Sequence, residues 1–97
     1  MKTPIHFFHA NGFPSETYKD LLSNIEGDIQ SPISILGKNI SSVEEGYSDF
    51  VDEVIEHASV TQGEGIAIGH SFGATLSLLA EARQPGLFKT IILLDPP

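Results

Sequence analysis

Short apolar runs alternate along the chain with stretches of helical periodicity, as strands and helices do when they take turns. Ile5 to Phe8, β-branched and aromatic, predicts a first strand that ends in the turn-forming stretch Asn11-Gly12-Phe13-Pro14-Ser15. Ser15 predicts a helix cap, because Tyr18, Leu21, Leu22 and Ile25 follow at helical spacing as one apolar stripe, with Gly27 as the stop. Ile33 to Leu36 predicts a short second strand, preceded by Pro32 as suits a strand's first position or an edge.

Ser42 with Glu45, or Ser41 with Glu44, makes a capping box that opens a second helix. Phe50, Val51, Val54, Ile55 and Ala58 share one of its faces, and Asp49, Asp52, Glu53 and Glu56 the other. Gln62 to Gly65 reads as a loop, and Ile66-Ala67-Ile68 as a third strand ending at Gly69. Phe72 to Arg83 is helical in composition, with Leu76, Leu79, Ala80 and Arg83 in register and Pro85-Gly86 as the break. Thr90 to Leu94 is apolar on both faces, which predicts a strand buried in a parallel sheet and closed by Asp95-Pro96-Pro97. Four strands alternating with three helices predict an α/β fold: a parallel doubly wound sheet in a three-layer αβα arrangement.

The chain has 97 residues, so it holds one domain at most. It has 5 Lys+Arg against 13 Asp+Glu, a formal charge of -8, which argues against nucleic acid or an anionic membrane surface as partner. Without cysteine there is no disulfide framework, thiolate metal site or cysteine nucleophile. The acidic residues from Glu44 to Glu56 fall at helical spacing and read as a solvated face, not a cation site. Gly63-x-Gly65 precedes a strand instead of following one, so it is no dinucleotide fingerprint. The start shows no secretory h-region, and the longest apolar run, Ile91 to Leu94, is far short of a membrane span. A cytoplasmic chain with no membrane span is the expectation.

The chemistry concentrates at Gly69-His70-Ser71-Phe72-Gly73, which reads G-x-S-x-G between a predicted strand and a predicted helix. A serine on so sharp a turn takes strained backbone angles and points its hydroxyl off the sheet's carboxyl edge, while Gly69 and Gly73 let strand and helix approach closely. The following helix aims its first amides at the same point, so the Phe72 N–H is placed to stabilise an oxyanion.

With this motif the sequence resembles the α/β-hydrolase superfamily over essentially its whole length. In that family the strand before the first covering helix ends in a His-Gly-x-Gly type turn whose third residue donates a second oxyanion amide. His9-Ala10-Asn11-Gly12 stands at that place, which by resemblance gives the role to the backbone of Asn11. His9 to Pro14 followed by Tyr18 looks like the opening of a group of small bacterial hydrolases of this superfamily. Ala10 departs from the usual Gly, and a positive φ there would strain it. The resemblance also implies that the four strands are the third to sixth of the family's sheet, in the order 2-1-3-4. Asn11 and Ser71 then flank the crevice where that order reverses.

A serine hydroxyl needs a base, and the family order along the chain is Ser, then Asp or Glu, then His. No histidine follows His70. His6 falls inside the first strand, His9 at its end and His57 near the end of the acidic helix; His9 is assigned a structural role and His70 packing or solvent exposure. Asp95, ending the last strand, is the one candidate acid, against the simpler reading of a strand-terminating Asp-Pro turn. The last strand, rich in Ile and Leu, would also be left as an edge. Residues 1–97 are therefore expected to be the N-terminal portion of one incomplete α/β-hydrolase domain, a serine hydrolase of small ester, amide or related substrates that is inactive as this segment alone. No cofactor is implied. The alternatives are a noncatalytic binding domain of the same fold, or half of a two-chain assembly whose partner is a second chain.

Overall fold

The computed structural model of the chain describes residues 3–10, 13–30 and 43–95. Its elements are β1 (Pro4–Phe8), a 3-10 turn (Ser15–Tyr18), α1 (Lys19–Ser23), β2 (Asp28–Ile29), α2 (Val43–Ser59), β3 (Ile66–His70), α3 (Phe72–Arg83) and β4 (Thr90–Leu94). The strands form one parallel sheet in the order β2-β1-β3-β4. β1 is central, pairing Ile5 to Phe8 with Ile66 to Gly69 on one side and Pro4-Ile5 with Asp28-Ile29 on the other. The chain leaves β1 in one direction to form β2 and returns past it to form β3, so the order reverses between β1 and β3.

Because successive strand residues face opposite ways, β1 supplies both layers of core. Ile5 and Phe7 join Ile68 under Tyr18, Leu22 and Ile25. Phe8 joins Ala67 under α2 and α3, with Val51, Val54, Ala58, Leu76, Ala80, Leu87 and Phe88. Phe7 and Phe8 are both fully buried, and withdrawing each from water is worth roughly 2 to 3 kcal/mol. Arg83 of α3 makes an ion pair with Asp52 of α2 between exposed side chains, a small contribution beside the apolar packing. The Glu81 carboxylate accepts the N–H groups of Gly86 at 2.6 Å and Phe88 at 2.9 Å, tying the turn after α3 back to its helix.

The three-layer parallel architecture is as expected, and Phe72–Arg83 and Thr90–Leu94 form the helix and strand predicted for them. Four details differ. Ser15 is the first residue of the 3-10 turn, not its cap; that place belongs to Pro14, without a side-chain hydrogen bond. α1 stops at Ser23 and never reaches Gly27, because the Ser23 hydroxyl and the Asn24 amide both donate to the Asp20 carbonyl at 2.8 Å, a local alternative to further helix. Leu21 consequently lies outside the buried stripe, 43% exposed. β4 is not buried on both faces: Ile92 and Leu93 are exposed, since among the described residues β4 has a neighbour on one side only. The expected strand Ile33 to Leu36 and the capping serines 41 and 42 lie outside the described residues; the strand seen beside β1 is Asp28–Ile29.

Candidate active site

β3 ends at His70 and α3 begins at Phe72, so Ser71 alone makes the turn between them. It does so at φ 52° and ψ -109°, a region that L-residues seldom occupy and that costs on the order of 1 to 3 kcal/mol. Backbone hydrogen bonds hold it there. The Ser71 N–H donates to the Leu94 carbonyl at 3.0 Å, and the Ser71 carbonyl accepts the N–H groups of Ala74 at 3.0 Å and Thr75 at 3.2 Å. The hydroxyl makes no capping bond to α3, so the simple alternative of a helix-capping serine finds no support.

The glycines explain how so tight a turn packs. A Cβ on Gly69 would fall 2.6 Å from the Gly73 carbonyl oxygen and 2.7 Å from the Ala74 backbone, and one on Gly73 would overlap the Phe8 carbonyl. The first turn of α3 thus presses on the end of β1, with Gly73 against the Phe8 and His9 carbonyls. Ala10, buried, is not among the residues with positive φ, so the strain that a positive φ would bring at this departure from glycine does not arise. Asn11 and Gly12 lie outside the described residues. Asp95 follows β4, exposed, at φ 46°.

The four histidines divide into two settings. His9, buried, donates from Nδ1 to the Ala10 carbonyl at 2.7 Å, the structural role expected of it. His70 does more than pack or face solvent: its Nδ1 lies 2.7 Å from the Tyr18 hydroxyl, which also accepts the Ala10 N–H at 3.1 Å. In the sequence Tyr18 is a member of an apolar stripe and part of the resemblance that His9 to Pro14 opens, with no role assigned to its hydroxyl. Its spacing gave no hint of the hydroxyl's partners, although its place shortly after His9-Ala10-Asn11-Gly12 was a signal.

The second setting lies on the α2 side of the sheet. His6, fully buried in β1, faces His57 with Nδ1 atoms 2.9 Å apart and Thr61 with Nε2 at 2.7 Å from its hydroxyl. Thr61 donates its own proton to the Ala58 carbonyl at 3.0 Å, so His6 must donate from Nε2 and accept at Nδ1 from His57. Burial lowers the His6 pKa to about 4, and the facing His57 adds to the effect. Gly65 makes room for this ring, since a Cβ there would lie 2.6 Å from it. No cluster of three or more metal-ligating side chains occurs among the described residues.

A strained single-residue turn between strand and helix, two glycines under it and a sheet whose order reverses alongside are features of a known architecture. The structure aligns over 100% of its length with 40% of N-formylmaleamic acid deformylase from Pseudomonas putida, at a TM-score of 0.80 and 19% identity. The chain has the α/β-hydrolase fold. In sequence this hydrolase-fold chain is 29% identical, over 106 aligned positions, to a monoglyceride lipase homolog of monkeypox virus. That alignment takes in 98% of the chain and 38% of the relative, so the chain spans well under half the length of the proteins it resembles. Both are named as hydrolytic enzymes. No protein-family model matches the sequence. Among the described residues, no helix is long and apolar enough to cross a membrane.

Proposed function

We propose that the protein is a serine hydrolase acting on an ester, amide or related small substrate, with Ser71 as nucleophile. The observation that carries this reading is the Ser71 backbone at φ 52° and ψ -109°, seated on Gly69 and Gly73 at the carboxyl end of β3. Strain of this kind persists only where the surroundings enforce it, and here it leaves the hydroxyl out of the helix cap. Attack by Ser71 on a carbonyl would develop negative charge beside the start of α3, where the Phe72 N–H serves as one oxyanion donor and the backbone of Asn11 as the other. The names of the two relatives cover ester and amide cleavage, which supports leaving the substrate at that breadth.

Activating Ser71 takes a base, and in the order that the resemblance implies this histidine follows the serine, whereas no histidine follows His70 in this sequence. The acid and histidine then come from outside this segment, which works as the N-terminal portion of a hydrolase domain and does not turn over substrate by itself. The exposed flank of β4 favours the same arrangement, whether its cover comes from the same chain or from a second one.

The test is labelling by a fluorophosphonate probe in the protein as its gene encodes it, followed by peptide mapping. Label on Ser71, lost in Ser71→Ala, is the expected result. Stoichiometric label that persists in Ser71→Ala, or no label at all in the parent, rules the nucleophile out and favours a noncatalytic binding domain on the same fold.

A further inference from the structure

The Tyr18 hydroxyl joins two turns that sequence keeps far apart. It accepts the Ala10 N–H at 3.1 Å and meets His70 Nδ1 at 2.7 Å. His70 directly precedes Ser71, so one oxygen links Ala10, just beyond β1, to the residue before the candidate nucleophile. The ring itself is fixed by packing, tilted against Phe7 at 4.5 Å between centroids and edge-on to His70 at 5.6 Å.

The proton arrangement follows. The Ala10 N–H only donates, so it occupies a lone pair of the hydroxyl oxygen. The hydroxyl proton is then satisfied by His70 Nδ1, which leaves the imidazole proton on Nε2. We infer that Tyr18 is a positioning residue of the Ser71 site, an inference that rests on the hydrolase reading above. Its hydroxyl ties Ala10, beyond the end of β1, to the turn that carries Ser71, and it selects the His70 tautomer. A nucleophile acts only when it is held in line with the reacting atom, and a misplacement of about 1 Å can cost about 100-fold in rate. A bond to the residue before Ser71 is a direct way to keep that placement.

Tyr18→Phe tests this in the protein as its gene encodes it, because it keeps the ring and removes only the hydroxyl. Nitrogen-15 NMR of neutral His70 should show the Nε2–H tautomer in the parent and lose that preference in the variant. With p-nitrophenyl acetate as probe substrate, kcat should fall about 10-fold while KM changes less than about twofold, since the loss concerns transition-state geometry and not ground-state binding. An active parent whose Tyr18→Phe variant keeps its kcat, or whose His70 tautomer is unaltered, overturns the positioning role and leaves Ser71 standing. A parent that neither hydrolyses the ester nor labels at Ser71 fails the hydrolase reading, and the positioning role falls with it.

Discussion

Gly73 lies against Phe8 so closely that its missing side chain is itself a structural element: a methyl group on Gly73 would overlap the Phe8 carbonyl and come within 2.7 Å of that of His9. An alanine in the first turn of a helix ordinarily gains up to about 1 kcal/mol over glycine. Here the clash is with strand backbone, which cannot swing aside as a side chain can, so α3 must lift from β1. Gly73→Ala should therefore destabilise the fold by about 2 kcal/mol or more, measured by urea unfolding. A variant as stable as the parent would show that α3 does not press on β1 as described.

The strain at Ser71 makes the opposite prediction for a neighbouring glycine substitution. Glycine reaches φ 52° without a Cβ penalty, while alanine keeps it. Ser71→Gly should be more stable than Ser71→Ala by about 1 kcal/mol, the relief of strain exceeding the added flexibility of the unfolded chain. Both should be inactive. Equal unfolding midpoints for the two variants would mean that the positive φ carries no cost.

What the sequence revealed and what it hid divide along a physical line. Ile5 to Phe8, Phe72 to Arg83 and Thr90 to Leu94 were legible because each is a continuous run whose pattern matches the layers it packs between. The turn at Ser71 was legible because glycines two residues either side of a serine have few other uses at a strand end. β2 was not, since Asp28–Ile29 is two residues long and is defined by pairing with Pro4-Ile5, not by any run of its own. Nor were the Tyr18 and His6 networks, whose partners stand 52 and 51 residues away. Such bonds follow from topology, which periodicity does not specify. The exposure of β4 was hidden for a related reason: apolar composition says that a strand expects cover, not which chain supplies it.

His6 gives the fold a pH dependence with a definite direction. In the unfolded chain its pKa is near the ordinary imidazole value of 6.5, and in the fold it drops to about 4. Between those values the unfolded state binds a proton that the folded ring refuses, because Nδ1 already accepts from His57. Stability from this source is complete above pH 6.5 and is lost as pH falls toward 4, by up to roughly 3 kcal/mol. His6→Phe should be less stable than the parent at pH 7, having lost the ring's bonds to His57 and Thr61, yet flatter in its response between pH 6.5 and 4. Unfolding free energies measured across that window give the slopes, and parallel slopes for the two proteins would refute the assignment.

β4 makes the last prediction. It is held by β3 on one side, from Thr90 opposite Ile66 to Leu94 opposite His70, and among the described residues nothing lies on the other side. Its outer row of backbone N–H and C=O groups, flanked by exposed Ile92 and Leu93, is a template for any extended segment. The 97-residue chain produced alone should therefore self-associate with rising concentration, through pairing of one β4 with another. Leu93→Lys should weaken that association at least about tenfold, because a lysine at the edge must lose water to be covered. Sedimentation velocity distinguishes the cases. If the unaltered chain stays monomeric over a wide concentration range, or if Leu93→Lys associates as strongly as the parent, β4 is not the surface through which the chain seeks a partner.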